Sequence, residues 1–381
     1  MRFQICSSLS RVEANDWNAL ISDGDPFLRY EFLRALERHD CVGERTGWHP
    51  QHLLGFDQSD RLVAAMPLYL KTNSYGEFVF DWAWADAYQR YGMRYYPKLV
   101  SAIPFTPATG ARMLLHPAID PASGRAALAA EAVRLASSLG VSSYHCLFHP
   151  TDELAAYEAQ SMHRRLGCQY HWRNNRYVNF EDFLAALSSK KRKNIRRERR
   201  LVAESGLTLE IVSGSDMNEA RWAITHRFYE STFDRRGGFA TLTLPFFQEI
   251  GETMGDQVVL CLAYDGPREV AGAVCLRSDT TLYGRHWGCD KDYDSLHFEA
   301  CYYQGIEYCI DNGLQRFEPG AQGEHKVHRG FLPTLTYSSH WIENEGMRRA
   351  INDFLEREGP AVKDYAAQLM THSPYRAPSP A

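Results

Sequence analysis

Several signatures are missing from this 381-residue sequence, and each absence removes a class of protein. Its nine cysteines (6, 41, 146, 168, 261, 275, 289, 301 and 309) include no C-x-x-C pair, so each reads as a small buried residue rather than half of a redox or zinc motif. No apolar run approaches the roughly 20 residues needed to cross a bilayer, and MRFQICSSLS loses its apolar character too early for a secretory leader. A reduced, cytoplasmic setting without membrane insertion is the expectation. There is neither a GxSxG elbow nor a P-loop, which sets aside α/β-hydrolase and P-loop NTPase chemistry. His325 and His328, like His145 and His149, stand at helical spacing but lack a third ligand nearby, so no metal site is expected. A large excess of one charge sign is lacking too, with 42 Lys or Arg against 47 Asp or Glu. A net charge of -5 excludes an overall electrostatic nucleic-acid binder and leaves room only for a local patch.

What the sequence does have is apolar material for two domains, with 44% hydrophobic and 13% aromatic residues. A weak internal repeat points the same way. VAAMPLYLKTNSYG (63 to 76) resembles VAGAVCLRSDTTLYG (270 to 284), and each predicts a hairpin. A helix ending at Leu139-Gly140 leads to a strand and Phe148-His149-Pro150; a helix ending at Asn312-Gly313 leads to Phe317-Glu318-Pro319. From each proline it is 21 residues to a His-Trp pair, His171-Trp172 and His340-Trp341. The shared unit is an α+β arrangement, a mixed sheet flanked by helices. The expected domains are residues 1–172 and 173–372, with 373–381 a frayed tail. Strands are predicted at 258–264, 270–276 and 281–287, and a helix over 295–311 between Asp294-Ser295 and Asn312-Gly313.

FEPGAQGEHKVHRGFLPTLTYSSHW, residues 317 to 341, concentrates the chemistry. Transfer of an acyl group to an amine needs a proton acceptor, donors facing the developing oxyanion, and alignment of the reactants. Glu318 or His325 supplies the first. Lys326 and Arg329 suit a phosphate or carboxylate, and Gly320, Gly323 and Gly330 let backbone N–H groups approach a ligand. His340 lies on a strand with Thr334, Thr336 and Ser338 on one face, and it is a further catalytic candidate; Tyr337, on the other face, is a substrate-binding candidate. A solvated loop and a histidine bonded inside its sheet are the plain structural alternatives.

Arg285 and His286, between Gly284 and Trp287, are substrate-binding candidates as well. In SYGEFVFDWAWADAY, Glu77 and Asp81 stand among aromatic residues and suit an amine or cationic acceptor. KKRKNIRRERR (190 to 200) carries eight Lys or Arg in eleven positions. Helical spacing puts Arg192, Arg196 and Arg199 or Arg200 on one side as a phosphate- or tRNA-binding stripe, with Arg197 a further candidate of the same run.

Taken together, the element order of 258–345, the SYGEFVFDW segment, the basic helix and PGAQGEHKVHRGFLPTLTYSSHW resemble the FemAB-like N-acyltransferases, over roughly residues 1–370. The resemblance implies two tandem GNAT-like domains around a shared cleft. It also implies transfer of an acyl or aminoacyl group from an aminoacyl-tRNA or an acyl thioester such as acyl-CoA, acting as co-substrate with no tightly bound cofactor. The acceptor would be an amine on a small molecule, a peptide or a cell-wall precursor, with tRNA as a partner, and the conserved lysine of the family falls on Lys326. Two departures stand out. CDKDYDSLHFEA has no second glycine after Gly288, which argues against acetyl-CoA, and 201–257 is too short and broken for the long helical arm of tRNA-dependent Fem ligases. A non-catalytic module that recognises a peptidoglycan-like or phosphorylated ligand is the alternative. Oligomeric state is not encoded legibly.

Overall fold

The computed structural model describes residues 1–234 and 238–376, which fold as two compact units. Unit 1 is Met1–Cys168 with Leu335–Tyr365, and unit 2 is Gln169–Thr334 with the segment from Ala366 onward. This differs from two contiguous stretches meeting at 172/173. The reason lies in strand pairing, because a late segment of the chain adds a strand and a helix to unit 1.

In unit 1, β1 (Arg2–Cys6), β3 (His52–Phe56), β4 (Leu62–Met66) and β7 (Leu114–Leu115) form one antiparallel sheet. A second group runs β2 (Trp48–Pro50), β5 (Tyr69–Lys71), β6 (Lys98–Ser101) and β8 (Ser143–Leu147), with β6 and β8 parallel. Ser338–Ile342 then pairs antiparallel to β8. The expected hairpin at 63–76 does not form. β4 pairs with β3 and β7, whereas β5 pairs with β2 and β6, so the chain switches partners at Pro67-Leu68. The helix Pro121–Ser138 starts where its alanine-rich sequence allows. The Asp120 side chain accepts the Ser123 N–H, Pro121 takes the first turn, and Gly140 ends the segment in the left-handed region at φ 62°. Its Leu128, Ala132 and Leu135 pack against Leu53, Met66, Leu99 and Tyr144, at about 1.5–3 kcal/mol for each buried large side chain.

In unit 2, β10 (Leu207–Ser213), β11 (Val258–Asp265), β12 (Arg268–Arg277) and β13 (Thr281–Cys289) form an antiparallel meander, as expected for 258–287. β14 (Arg316–Glu318) then lies parallel to β13, and Trp172-Arg173, the end of β9 (His163–Arg173), pairs antiparallel to β14. The helical stretch 296–311 follows the expectation and contains a π-helical turn over Glu299–Tyr303. Tyr302, Tyr303 and Ile306 from that stretch pack with Phe180, Phe183, Trp172, Leu282 and Phe317. The residues 373–376 do not fray: Tyr375 bridges to Leu187. Residues 377–381 of the expected tail lie outside the described residues.

Candidate active site

β13 and β14 pair for only three residues, Thr281–Tyr283 with Arg316–Glu318, and β13 then continues to Cys289. On its other side the register with β12 shifts, Val274 facing His286 and Cys275 facing Gly284, so Arg285 has no opposite residue and forms a bulge. Gly284 makes the close approach possible, since a Cβ there would stand 3.2 Å from the Pro319 Cα. Burial lowers Arg285 to about 10, against the opposing pull of Tyr229 and Glu318. His286 packs its ring on Tyr229 at 4.7 Å and Phe247 at 5.8 Å, and burial holds it neutral.

At the end of β14 the strand alternation turns Phe317 into the core and Glu318 to the opposite face, together with Arg316. Glu318, only 4% exposed, has Arg316 Nε at 3.1 Å and His171 Nε2 at 3.9 Å. His171 Nε2 also lies 3.2 Å from Gln169 Oε1. Burial, reinforced by Arg316, Arg173 and Lys326, lowers His171 to about 3, so it stays neutral. An amide oxygen can only accept, so Nε2 carries the proton and Nδ1 the lone pair. That Nδ1 is buried and has no hydrogen-bond partner among the described residues.

The chain leaves Pro319 through Gly320 at φ 95° and Gly323 at φ 113°, then makes a 3-10 turn, Glu324–Arg329. Lys326, 3% exposed, donates to the Gly320 carbonyl at 2.8 Å, and burial brings its ammonium down to about 8. His325 Nε2 meets the Tyr302 hydroxyl at 3.0 Å, and burial with Arg329 and Lys326 lowers its pKa. Arg329 is committed elsewhere: it forms two hydrogen bonds with Glu198, at 2.8 and 3.2 Å, and lies 3.4 Å over the Phe298 ring. Its charge therefore fastens the turn to the basic helix Ser189–Glu204.

Other candidates belong to unit 1. His340 lies between His145, Nδ1 to Nδ1 at 2.6 Å, and Ser338 Oγ at 2.9 Å, and burial keeps both rings neutral. Tyr337 is half-buried on the same strand. Glu77 and Asp81 do not face solvent; both are sequestered around Lys98, which is fully buried and also donates to Ser74 at 2.9 Å. Burial raises Glu77 to about 7, whereas at Lys98 the two carboxylates overcome burial and raise the ammonium above its ordinary value.

The basic helix presents a different stripe from the one its spacing suggests. Arg199 turns inward over Phe180 at 4.4 Å and pairs with Glu299 and Glu307, and Arg196 pairs with Glu181. Arg192 is half-buried and Arg197 exposed. Lys190, Lys193 and Arg197, spaced i, i+3, i+7, carry no ion pair among the described residues. Sequence reasoning also missed Lys98, Gln169 and His171. For His171 a signal existed, because the repeat aligns it with His340.

A family model for FemAB-like proteins, described as peptidoglycan biosynthesis/recognition, matches residues 8–377. The chain belongs to the FemAB-like family. Among solved structures it is similar to FemX, with a TM-score of 0.56 and 11% identity over 92% of this chain and 100% of that one. It is also similar to L-PGS from Bacillus licheniformis, with a TM-score of 0.53 and 10% identity over 88% and 98%. At such identities the likeness is one of fold, and that fold is a mixed α/β tandem of GNAT-like units. A search of curated proteins gave no match. Family membership supports a transferase of acyl or aminoacyl groups in peptidoglycan-related chemistry. No helix among the described residues is long and apolar enough to cross a membrane.

Proposed function

We propose that this protein is an N-acyltransferase that moves an acyl or aminoacyl group from an aminoacyl-tRNA or an acyl thioester to an amine acceptor. The observation that carries this reading is that a buried carboxylate, Glu318, at the end of β14 is followed on glycine-flanked backbone by a buried lysine, Lys326, in a chain of this family. The acceptor's neutral nitrogen attacks the donor's carbonyl carbon. Glu318 takes the proton the nitrogen sheds, and the Lys326 ammonium faces the oxyanion. When the tetrahedral species collapses, the C–O or C–S bond breaks and the proton passes from Glu318 to the leaving oxygen or sulfur. His171 stays neutral beside Glu318 and adds no charge to compete for it. The donor acts as a co-substrate, with its phosphates along Lys190, Lys193 and Arg197. The family's description draws the acceptor toward an amine of a peptidoglycan precursor.

The test incubates purified protein with aminoacyl-tRNA or acyl-CoA pools and amine acceptors, and reads acylated products by mass spectrometry. Glu318→Gln should lower turnover by about 10²–10⁴-fold while donor binding persists. Loss of activity on RNase treatment assigns the tRNA donor. Full turnover by Glu318→Gln removes the role of Glu318, and binding without turnover for every donor returns the chain to a recognition module.

A further inference from the structure

The residues Ser373–Arg376 return to the start of the basic helix and tie themselves to it. The Ser188 N–H donates to the Pro374 carbonyl at 2.8 Å, and the Arg376 N–H donates to Ala186 at 3.0 Å. Arg376 Nε reaches the Leu187 carbonyl at 3.1 Å. Between these bonds Tyr375 packs its ring 6.5 Å from Phe183 and donates its hydroxyl to the Gly330 carbonyl at 2.9 Å.

Gly330 closes the turn that carries His325, Lys326 and Arg329. It sits at φ 99°, where a side chain is strained, and a Cβ there would lie 2.9 Å from the Phe183 ring and 3.1 Å from the Tyr375 hydroxyl. The residue after it, Phe331, donates its N–H to the Lys326 carbonyl at 3.2 Å. The turn needs such ties. Its i to i+3 bonds have poorer geometry than α-helical ones, and Gly323 and Gly330, at its two ends, resist little rotation. At the Gly323 end Lys326 holds Gly320, and at the Gly330 end Tyr375 holds the carbonyl.

We propose that Tyr375 is a positioning residue: the strap Ser373–Arg376 fixes Gly330 and so sets where the Lys326 ammonium stands relative to the end of β14. The proposal rests on the reading of this turn as the working part of a transferase. It predicts that residues remote in sequence from Glu318 and Lys326 govern the chemistry without touching a reactant.

Two variants test it, Tyr375→Phe, which keeps the ring, and a chain ending at His372. In Tyr375→Phe, hydrogen exchange of 324–331 should quicken by about five- to tenfold, the scale one hydrogen bond sets, with the rest of unit 2 unchanged. The pH midpoint for acetylation of Lys326, followed by peptide mass spectrometry, should rise from about 8 toward the ordinary lysine value as the ammonium gains water. The truncated chain should show both effects more strongly. Where transfer is measurable, kcat should fall about tenfold or more with KM for the donor unchanged. An unchanged Lys326 profile in both variants overturns the proposal, and so does loss of protection spread evenly through unit 2, which would mark a purely structural role. Because exchange and labelling use the protein without substrate, they stand even if no transfer is found; the proposed activity and the strap can therefore fail separately.

Discussion

The two units end a parallel strand pair in the same way and then do opposite things with it. In unit 1, β8 runs into Phe148-His149-Pro150, and in unit 2, β14 runs into Phe317-Glu318-Pro319. The unit 1 end is sealed by its own chain. The buried Arg112 guanidinium donates to the carbonyls of Leu147 at 2.9 Å, Ala108 at 2.8 Å, Gly110 at 2.8 Å and Ala111 at 3.0 Å, and the Gly110 N–H donates to Phe148. His149 is bonded on both nitrogens, to Ser339 at 2.9 Å and Pro150 at 3.0 Å. In unit 2 the matching position is the carboxylate Glu318, followed by glycine backbone and a buried lysine with a lowered pKa. A strand-end device that one copy spends on closure, the other leaves furnished with an acid and a cation. Perturbed groups beside accessible backbone are where function concentrates.

The sharpest way to break this contrast is to treat one buried lysine of each unit alike, Lys98 of unit 1 and Lys326 of unit 2. Lys98→Met strands Glu77 and Asp81 without their cation, and removing one partner of a buried ion pair costs about 3–5 kcal/mol. Chemical denaturation should register that loss, and Glu77→Gln in the same chain should recover part of it. Lys326→Met removes a group whose hydrogen-bond partner among the described residues is a single carbonyl; stability should fall by less than half as much, and transfer should suffer instead. Equal destabilisation by the two substitutions would erase the distinction between a structural and a working lysine.

Acid provides the next test. His149 is held at about 4 and His171 at about 3, chiefly by burial, and His145, His286 and His340 are also pushed well down. Each takes its proton in the unfolded chain near 6.5 but not in the folded one, so stability is full above 6.5 and falls as pH drops, at about 1.4 kcal/mol per pH unit per histidine. Glu77 works the other way, since its folded value near 7 exceeds the unfolded 4.5 and favours folding as pH falls through that window. Histidines outnumber it, so stability should decline between pH 6.5 and 4. His149→Gln should remove about one proton from the slope of stability against pH in that range. An unaltered slope would mean that His149 ionises within the fold.

Much of this architecture was legible, for identifiable reasons. The meander 258–289 and the helix 296–311 are long, periodic and bounded by turn residues, so local pattern decided them. The Phe-x-Pro repeat exposed the paired strand ends. The hairpin at 63–76 misled because short apolar strands name no partner, and the exchange of Leu335–Tyr365 into unit 1 is set by pairing with Ser143–Leu147, which no local pattern contains. Glu318 and Lys326 stood out beside glycines, whereas Lys98, in the bland stretch YYPKLV, becomes visible only when Glu77 and Asp81 close on it. Ser373–Arg376 looked frayed by composition, yet its backbone is paired.

The smallest effect is expected where spacing identified the helix and not its face. Helical periodicity groups residues with one another but cannot say which group meets solvent. Here Glu181, Glu299 and Glu307, from elsewhere in the chain, claim Arg196 and Arg199, leaving Lys190, Lys193 and Arg197 as the open stripe. Replacing any one of these three by Gln should change stability by less than about 0.5 kcal/mol. Titration of a phosphodiester probe such as single-stranded RNA should show affinity weakened, and the slope of log affinity against log salt lowered by about one for each residue removed. Arg199→Gln should do the reverse, costing stability through Glu299 and Glu307 while sparing the salt slope. If Arg199→Gln lowers the slope as much as Arg197→Gln does, the anion runs along the packed side and the stripe has been drawn on the wrong face.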